Sequence, residues 1–157
     1  MYPPEHWMRL AIAKAKEGIA AGQTPFGACI VREHKPVAVA HNVVLRTTDI
    51  TAHAEVMAIR ESCLALKTID LAGCVIYSTC EPCPMCFAAC HWANLDRIVY
   101  GASIADAAGA GFRELSISNA EMRQRGGSRV ELVPGFLRDQ SVQLFQEWMR
   151  LPGRRTY

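Results

Sequence analysis

Apolar residues recur at helical spacing near the start of the chain. Within residues 5–21 (EHWMRLAIAKAKEGIAA) they fall at Trp7, Leu10, Ile12, Ala15 and Ile19, which predicts a helix facing a core. Gly22 supplies its stop. Residues 25–32 (PFGACIVR) and 36–41 (PVAVAH) are short and apolar. They predict two strands joined by a tight turn around Glu33-His34-Lys35. A helix is predicted over 53–67, entered from the polar stretch 47–51. Val75 to Ser78 reads as a buried strand. Cys83 to Ala93 reads as a helix with Pro84 in its first turn, a position that proline tolerates. Arg97 to Gly101 reads as a further strand. The pattern weakens over 102–135, where it predicts a short helix near 116–124 and a strand at 130–133. Residues 137–150 (LRDQSVQLFQEWMR) form an amphipathic helix, ended by Pro152-Gly153.

Strands alternating with helices predict an α/β fold, with helices covering a sheet. The first two strands suit an antiparallel hairpin. The later, helix-linked strands suit parallel pairing, so the sheet is expected to be mixed. A chain of 157 residues without linker, repeat or low-complexity segment fits one domain over 1–157. Its composition, 50% hydrophobic and 20% charged, is that of a soluble globular protein. The net charge of +2 creates no strong field for a polyanion, so nucleic acid is not the expected partner. The first residues lack the basic and apolar stretches of a signal peptide. No segment approaches the roughly 20 apolar residues of a membrane span. A cytoplasmic location is therefore expected.

The cysteines change this plain picture. There are seven, at 29, 63, 74, 80, 83, 86 and 90. An odd number without a signal peptide argues against a disulfide framework. Four of the seven crowd into positions 80–90, which in a reducing compartment points to metal or catalysis. Thr51-Ala52-His53-Ala54-Glu55 is followed by Pro82-Cys83-Pro84-Met85-Cys86. Two cysteines three apart at a helix start can aim both sulfurs at one spot. The unpaired N–H groups there favour thiolates, the form a metal needs. His53, at the start of a second helix, supplies a third ligand. Three protein ligands leave a tetrahedral zinc one corner for water, whose pKa falls to about 7. Glu55, two residues beyond His53, can lean over that corner without ligating. It would take a proton from the water and return protons to a ring nitrogen and a leaving amine.

One other arrangement uses the same cysteines. Cys80, Cys83, Cys86 and Cys90 have the spacing for a closed four-cysteine site, with the metal acting only as a staple. Such a site has no use for a buried His-Ala-Glu. Cys80 and Cys90 fit core packing better, as do Cys29, Cys63 and Cys74. His6, His34, His41 and His91 read as surface or core histidines. Arg150, Arg154 and Arg155 read as a solvated face.

The His-x-Glu and Pro-Cys-x-x-Cys pair is the pattern of zinc deaminases acting on nucleobases. At these residues the chain resembles the cytidine deaminase superfamily, and within it the bacterial guanine deaminases. The likeness includes Pro25-Phe26-Gly27-Ala28, Asn42, Thr51 to Arg60 and Ser78 to Met85, with Trp92-Ala93 close behind. It continues through Asp106 to Phe112, Phe145 to Trp148 and the terminal Tyr157. A branch of tRNA adenosine deaminases is the nearest competitor. Ala107-Ala108 and Gly111-Phe112 stand where that branch has other residues, which favours a free base as substrate.

The resemblance implies a three-layer α/β/α fold around a mixed five-stranded sheet. It implies zinc on His53, Cys83 and Cys86, with Glu55 as the catalytic residue. The reaction it implies is hydrolysis of guanine to xanthine and ammonia. The alternatives are adenosine in tRNA, or a related base or nucleoside such as guanosine or an amino-triazine. Around the base it implies Phe26, Asn42, Ala54, Trp92, Glu114 and Tyr157. Phe26 and Trp92 would pack on the ring's flat face. Asn42 would bond the ring edge, although an Asn closing a turn reads equally well. Glu114 would accept from the amine, where some relatives carry the shorter Asp. A homodimer is implied too, the C-terminal helix and tail (about 137–157) of one copy packing over the active site of the other.

Overall fold

A computed structural model describes residues 1–157. Five strands form one sheet in the order β2-β1-β3-β4-β5. They are β1 (Gly27–Arg32), β2 (Lys35–His41), β3 (Cys74–Cys80), β4 (Arg97–Ala102) and β5 (Glu131–Val133). β1 pairs antiparallel with both β2 and β3, while β3, β4 and β5 run parallel. The sheet is therefore mixed. The two-residue turn between β1 and β2 has positive φ at Glu33 (49°) and His34 (59°). That conformation matches the right-handed twist of the flanking strands.

The helices are α1 (Pro4–Ala20), α2 (Val44–Thr47), α3 (Ala54–Leu66), α4 (Pro84–Trp92), α5 (Ile104–Gly109), α6 (Asn119–Gly126) and α7 (Arg138–Met149). α1 and α7 cover one face of the sheet, and α3 and α4 the other. Alternate residues of the strands feed the two cores. Ile30, Ile76 and Ile98 point to the α3–α4 side. Cys29, Tyr77 and Val99 point to the α1–α7 side. Because both faces are covered, β1 and β3 are almost wholly buried. They therefore read as apolar runs and not as alternating strands.

α1 lies so close to β1 that a Cβ on Gly27 would collide with the Ala11 carbonyl. Only glycine permits this approach. Two short helices stand where the sequence pattern predicted none. α2 has four residues and α5 has six, too few to show a period. α5 nevertheless opens on a full capping box between Ser103 and Asp106. The predicted helix near 116–124 lies at 119–126. No helix is long and apolar enough to cross a membrane.

Candidate active site

Two helix N-termini meet beyond the C-terminal end of β3. His53 is the N-cap of α3 and Cys83 the N-cap of α4. Neither side chain caps its own helix, so both are free to face a common point. Cys86, one turn into α4, is fully buried and faces the same point. His53 Nδ1 lies 3.6 Å from Cys83 Sγ and 3.4 Å from Cys86 Sγ. A tetrahedron with Zn–S bonds of about 2.3 Å and Zn–N of about 2.0 Å has N···S edges of about 3.5 Å. One nitrogen and two sulfurs at this spacing fit zinc without rearrangement.

The thiols are electrostatically unequal. The Cys86 thiol donating to Cys83, assisted by His53, pulls Cys83 down to about 4 against the opposing effect of burial. Its bond to Cys83, burial and nearby negative charge push Cys86 well above the ordinary range. A metal ion between them would favour the thiolate form of both. Cys80 and Cys90 are not part of the cluster. Cys80 Sγ points to the Ser103 carbonyl at 3.5 Å, and Cys90 packs in the α3–α4 core. The geometry is that of an open three-ligand site, not a four-cysteine staple.

Glu55 is only 5% exposed and stands directly beside the ligands. Its Oε2 is 3.6 Å from Cys86 Sγ, and its Oε1 is 3.2 Å from Ser78 Oγ. Burial raises its pKa, which moves a carboxylate toward the range where it can both take and give a proton. Glu114 is the second acid of the pocket. Burial, with Cys83 and Glu55 adding negative charge, pushes it up to about 7. It shares an inner pocket with Phe26, His53, Glu55, Cys80 and Tyr157. Outward from this pocket opens a groove of about 340 Å³, bordered by Ile50, Pro84, Met85 and Leu115.

Asn42 serves two purposes at once. Its Oδ1 accepts from Val44 N at 3.0 Å, closing the turn into α2. This leaves Nδ2 to point toward the pocket, where it donates to Tyr157 Oη at 2.6 Å. Thr24 Oγ1 lies 3.2 Å from the same oxygen. Tyr157 of this chain thus reaches its own pocket, with its ring 5.6 Å from that of His53. Ala54 is fully buried and packs in the core between His53 and Glu55.

Trp92 is not brought to the site. It is 84% exposed at the C-terminal end of α4, whereas the metal ligands are at its N-terminal end. Nine residues of helix separate it from Cys83 by about 13 Å. An aromatic wall is built by Phe112 instead, which meets Phe26 edge-on at 4.9 Å and Tyr157 at 5.4 Å. Sequence reasoning also passed over Ser78, Glu81 and Thr24. Ser78 carried a usable signal, as a polar residue close to the Pro-Cys-x-x-Cys run.

The family pattern described as the cytidine and deoxycytidylate deaminase zinc-binding region matches residues 1–102. The chain belongs to this family. It is a zinc-dependent hydrolytic deaminase. Among curated relatives, guanine deaminase of Bacillus subtilis is 36% identical over 154 residues, covering 98% of each chain. The tRNA-specific adenosine deaminase of the same organism is 32% identical over 150 residues, covering 96% of this chain and 91% of its own. Among solved structures, guanine deaminase from Nitrosomonas europaea superposes with a TM-score of 0.87 at 28% identity, over 96% of this chain and 87% of its own.

Proposed function

We propose that this deaminase converts guanine and water to xanthine and ammonia. The observation that carries the reading is the pair of carboxyls, Glu55 and Glu114, set in one small aromatic-walled pocket beside the ligand cluster. Full-length likeness to a guanine deaminase supports the choice of base. His53, Cys83 and Cys86 would hold a zinc ion, which would supply an activated water. Glu55 would take a proton from that water and pass it to the ring nitrogen beside the carbon that bears the amine. Glu114 accepts a hydrogen bond from the amine. Glu55 would then move the remaining proton of the water oxygen to the amine, which leaves as ammonia. Asn42 Nδ2 donates to the ring edge, and Phe26 and Phe112 hold the ring plane. Burial of the whole set strengthens each of these contacts.

In this reading Tyr157 closes the pocket over the bound base. Asn42 then exchanges its bond to Tyr157 for one to the substrate. The partners are the purine base and a second copy of the chain. The exposed apolar residues Leu64, Ile69 and Trp92 of the α3–α4 side supply apolar surface for such an assembly. Cytoplasmic purine turnover is the setting this chemistry suits.

Ammonia release from guanine, guanosine, adenine, cytosine and amino-triazines tests the reading. Guanine is expected to be the best of these by kcat/KM. Turnover of cytosine alone overturns the substrate and spares the mechanism. Turnover confined to adenosine in a tRNA anticodon stem-loop, with binding that weakens steeply as salt rises, places the chain with the editing enzymes instead.

A further inference from the structure

We propose that Glu81 is a positioning residue: its carboxylate closes residues 104–119 into a loop and so holds Glu114 against the metal pocket. Glu81 is 8% exposed and sits between the end of β3 and the ligand Cys83. Its Oε2 accepts from Ile104 N at 3.1 Å, and its Oε1 accepts from Asn119 N at 2.9 Å. These N–H groups belong to the first residues of α5 and α6. One carboxylate thus joins two helix starts fifteen positions apart, with Phe112 and Glu114 on the chain between them. The neighbouring residue completes the clamp, since the Pro82 carbonyl accepts from Asn119 Nδ2 at 2.6 Å. Glu81 N also donates to Ala102 O at 2.8 Å, tying the clamp to the end of β4.

The chemistry of this position explains why a carboxylate is needed. Both donors are backbone N–H groups, so both atoms that receive them must be acceptors. Glutamine offers one acceptor and one NH₂, and the NH₂ would face an N–H. Charge-assisted bonds of this kind are about twice as strong as neutral ones. With both oxygens engaged, Glu81 is a clamp and not a proton carrier, although it borders the same inner pocket as Glu114.

The proposal rests on the role of Glu114 given above, and a double-mutant cycle separates the two. Guanine kcat/KM and zinc content are measured for the holoenzyme and for Glu81→Gln, Glu114→Gln and the double variant. Glu81→Gln is expected to keep its zinc and lose about tenfold in kcat/KM when Glu114 is present, but less than about twofold when Glu114 is already Gln. An equal loss in both backgrounds, or no loss in either, overturns the positioning role. Full activity in Glu114→Gln overturns the Glu114 reading, and the positioning role falls with it. If Glu81→Gln does not fold, Asn119→Ala enters the same cycle. It removes only the bond to Pro82, and the same two results decide.

Discussion

Ser78 Oγ lies 3.2 Å from Glu55 Oε1 and 2.7 Å from the Cys80 carbonyl. A hydroxyl has one proton to donate, so these two acceptors compete for it. When Glu55 is ionised, Ser78 can turn to it. Once Glu55 has taken a proton, Ser78 can turn to Cys80 O and accept from the carboxyl. The same hydroxyl thus suits both states of a group that cycles between them.

Ser78→Ala tests this pairing. Ser78 favours the ionised form of Glu55, so its loss raises the pKa of a base that must be ionised to act. The acid limb of the pH profile of kcat/KM is expected to move to higher pH, with activity near neutrality falling about three- to tenfold. An unmoved limb would separate Ser78 from the proton transfer.

Glu114 is pushed up to about 7 by burial and neighbouring negative charge. The positive charge of bound zinc lowers this value. The wild-type kcat/KM profile is therefore expected to carry an inflection at or somewhat below pH 7, and Glu114→Gln is expected to remove it. Persistence of the inflection in Glu114→Gln assigns it to another group. The sign for folding is also defined for the metal-free chain. A carboxyl whose folded pKa exceeds its unfolded value of about 4.3 binds protons more tightly when folded. Its contribution is full below that lower value and is lost as pH rises through about 7. Replacement by Gln is expected to flatten this part of the stability profile.

Tyr157 Oη accepts from Asn42 and pairs with Thr24. Tyr157→Phe removes both contacts and leaves a buried amide N–H without its partner. A hydrogen bond worth about 1 kcal/mol corresponds to a roughly fivefold larger fraction of detached tail. Trypsin cleavage after the exposed Arg154 and Arg155 is expected to quicken by about that factor. Equal cleavage rates would show that the hydroxyl does not hold the tail.

The ligand set makes a sharper claim about metal. Cys83→Ser and Cys86→Ser are expected to lose zinc. Cys90→Ala is expected to keep one zinc per chain, at a modest cost in stability from the small cavity left in the core. Zinc loss from Cys90→Ala would return the four-cysteine arrangement to consideration.

Much of this could be read from the residues. His53, Glu55, Cys83 and Cys86 were legible because the metal's geometry constrains their spacing near two helix starts. α1, α3, α4 and α7 were legible because each is long enough to display its period or its caps. α2 and α5 were not, since four and six residues show no period. Trp92, a position the resemblance implied, lies exposed at the far end of α4 from the ligands. Glu81 stayed hidden for a different reason. Its partners, Ile104 N and Asn119 N, are backbone groups of remote segments, and no side chain advertises them. The meeting of Asn42 with Tyr157 spans 115 positions and depends on how the tail returns across the pocket.

The central claim is that a buried carboxylate moves protons beside a three-ligand metal. Glu55→Gln keeps the shape of the side chain and removes its basicity. Zinc content and ammonia release are measured on the same preparation. The account predicts one zinc per chain and a loss of turnover of about a hundred- to ten-thousand-fold. Near-normal turnover in a zinc-loaded Glu55→Gln variant would contradict it.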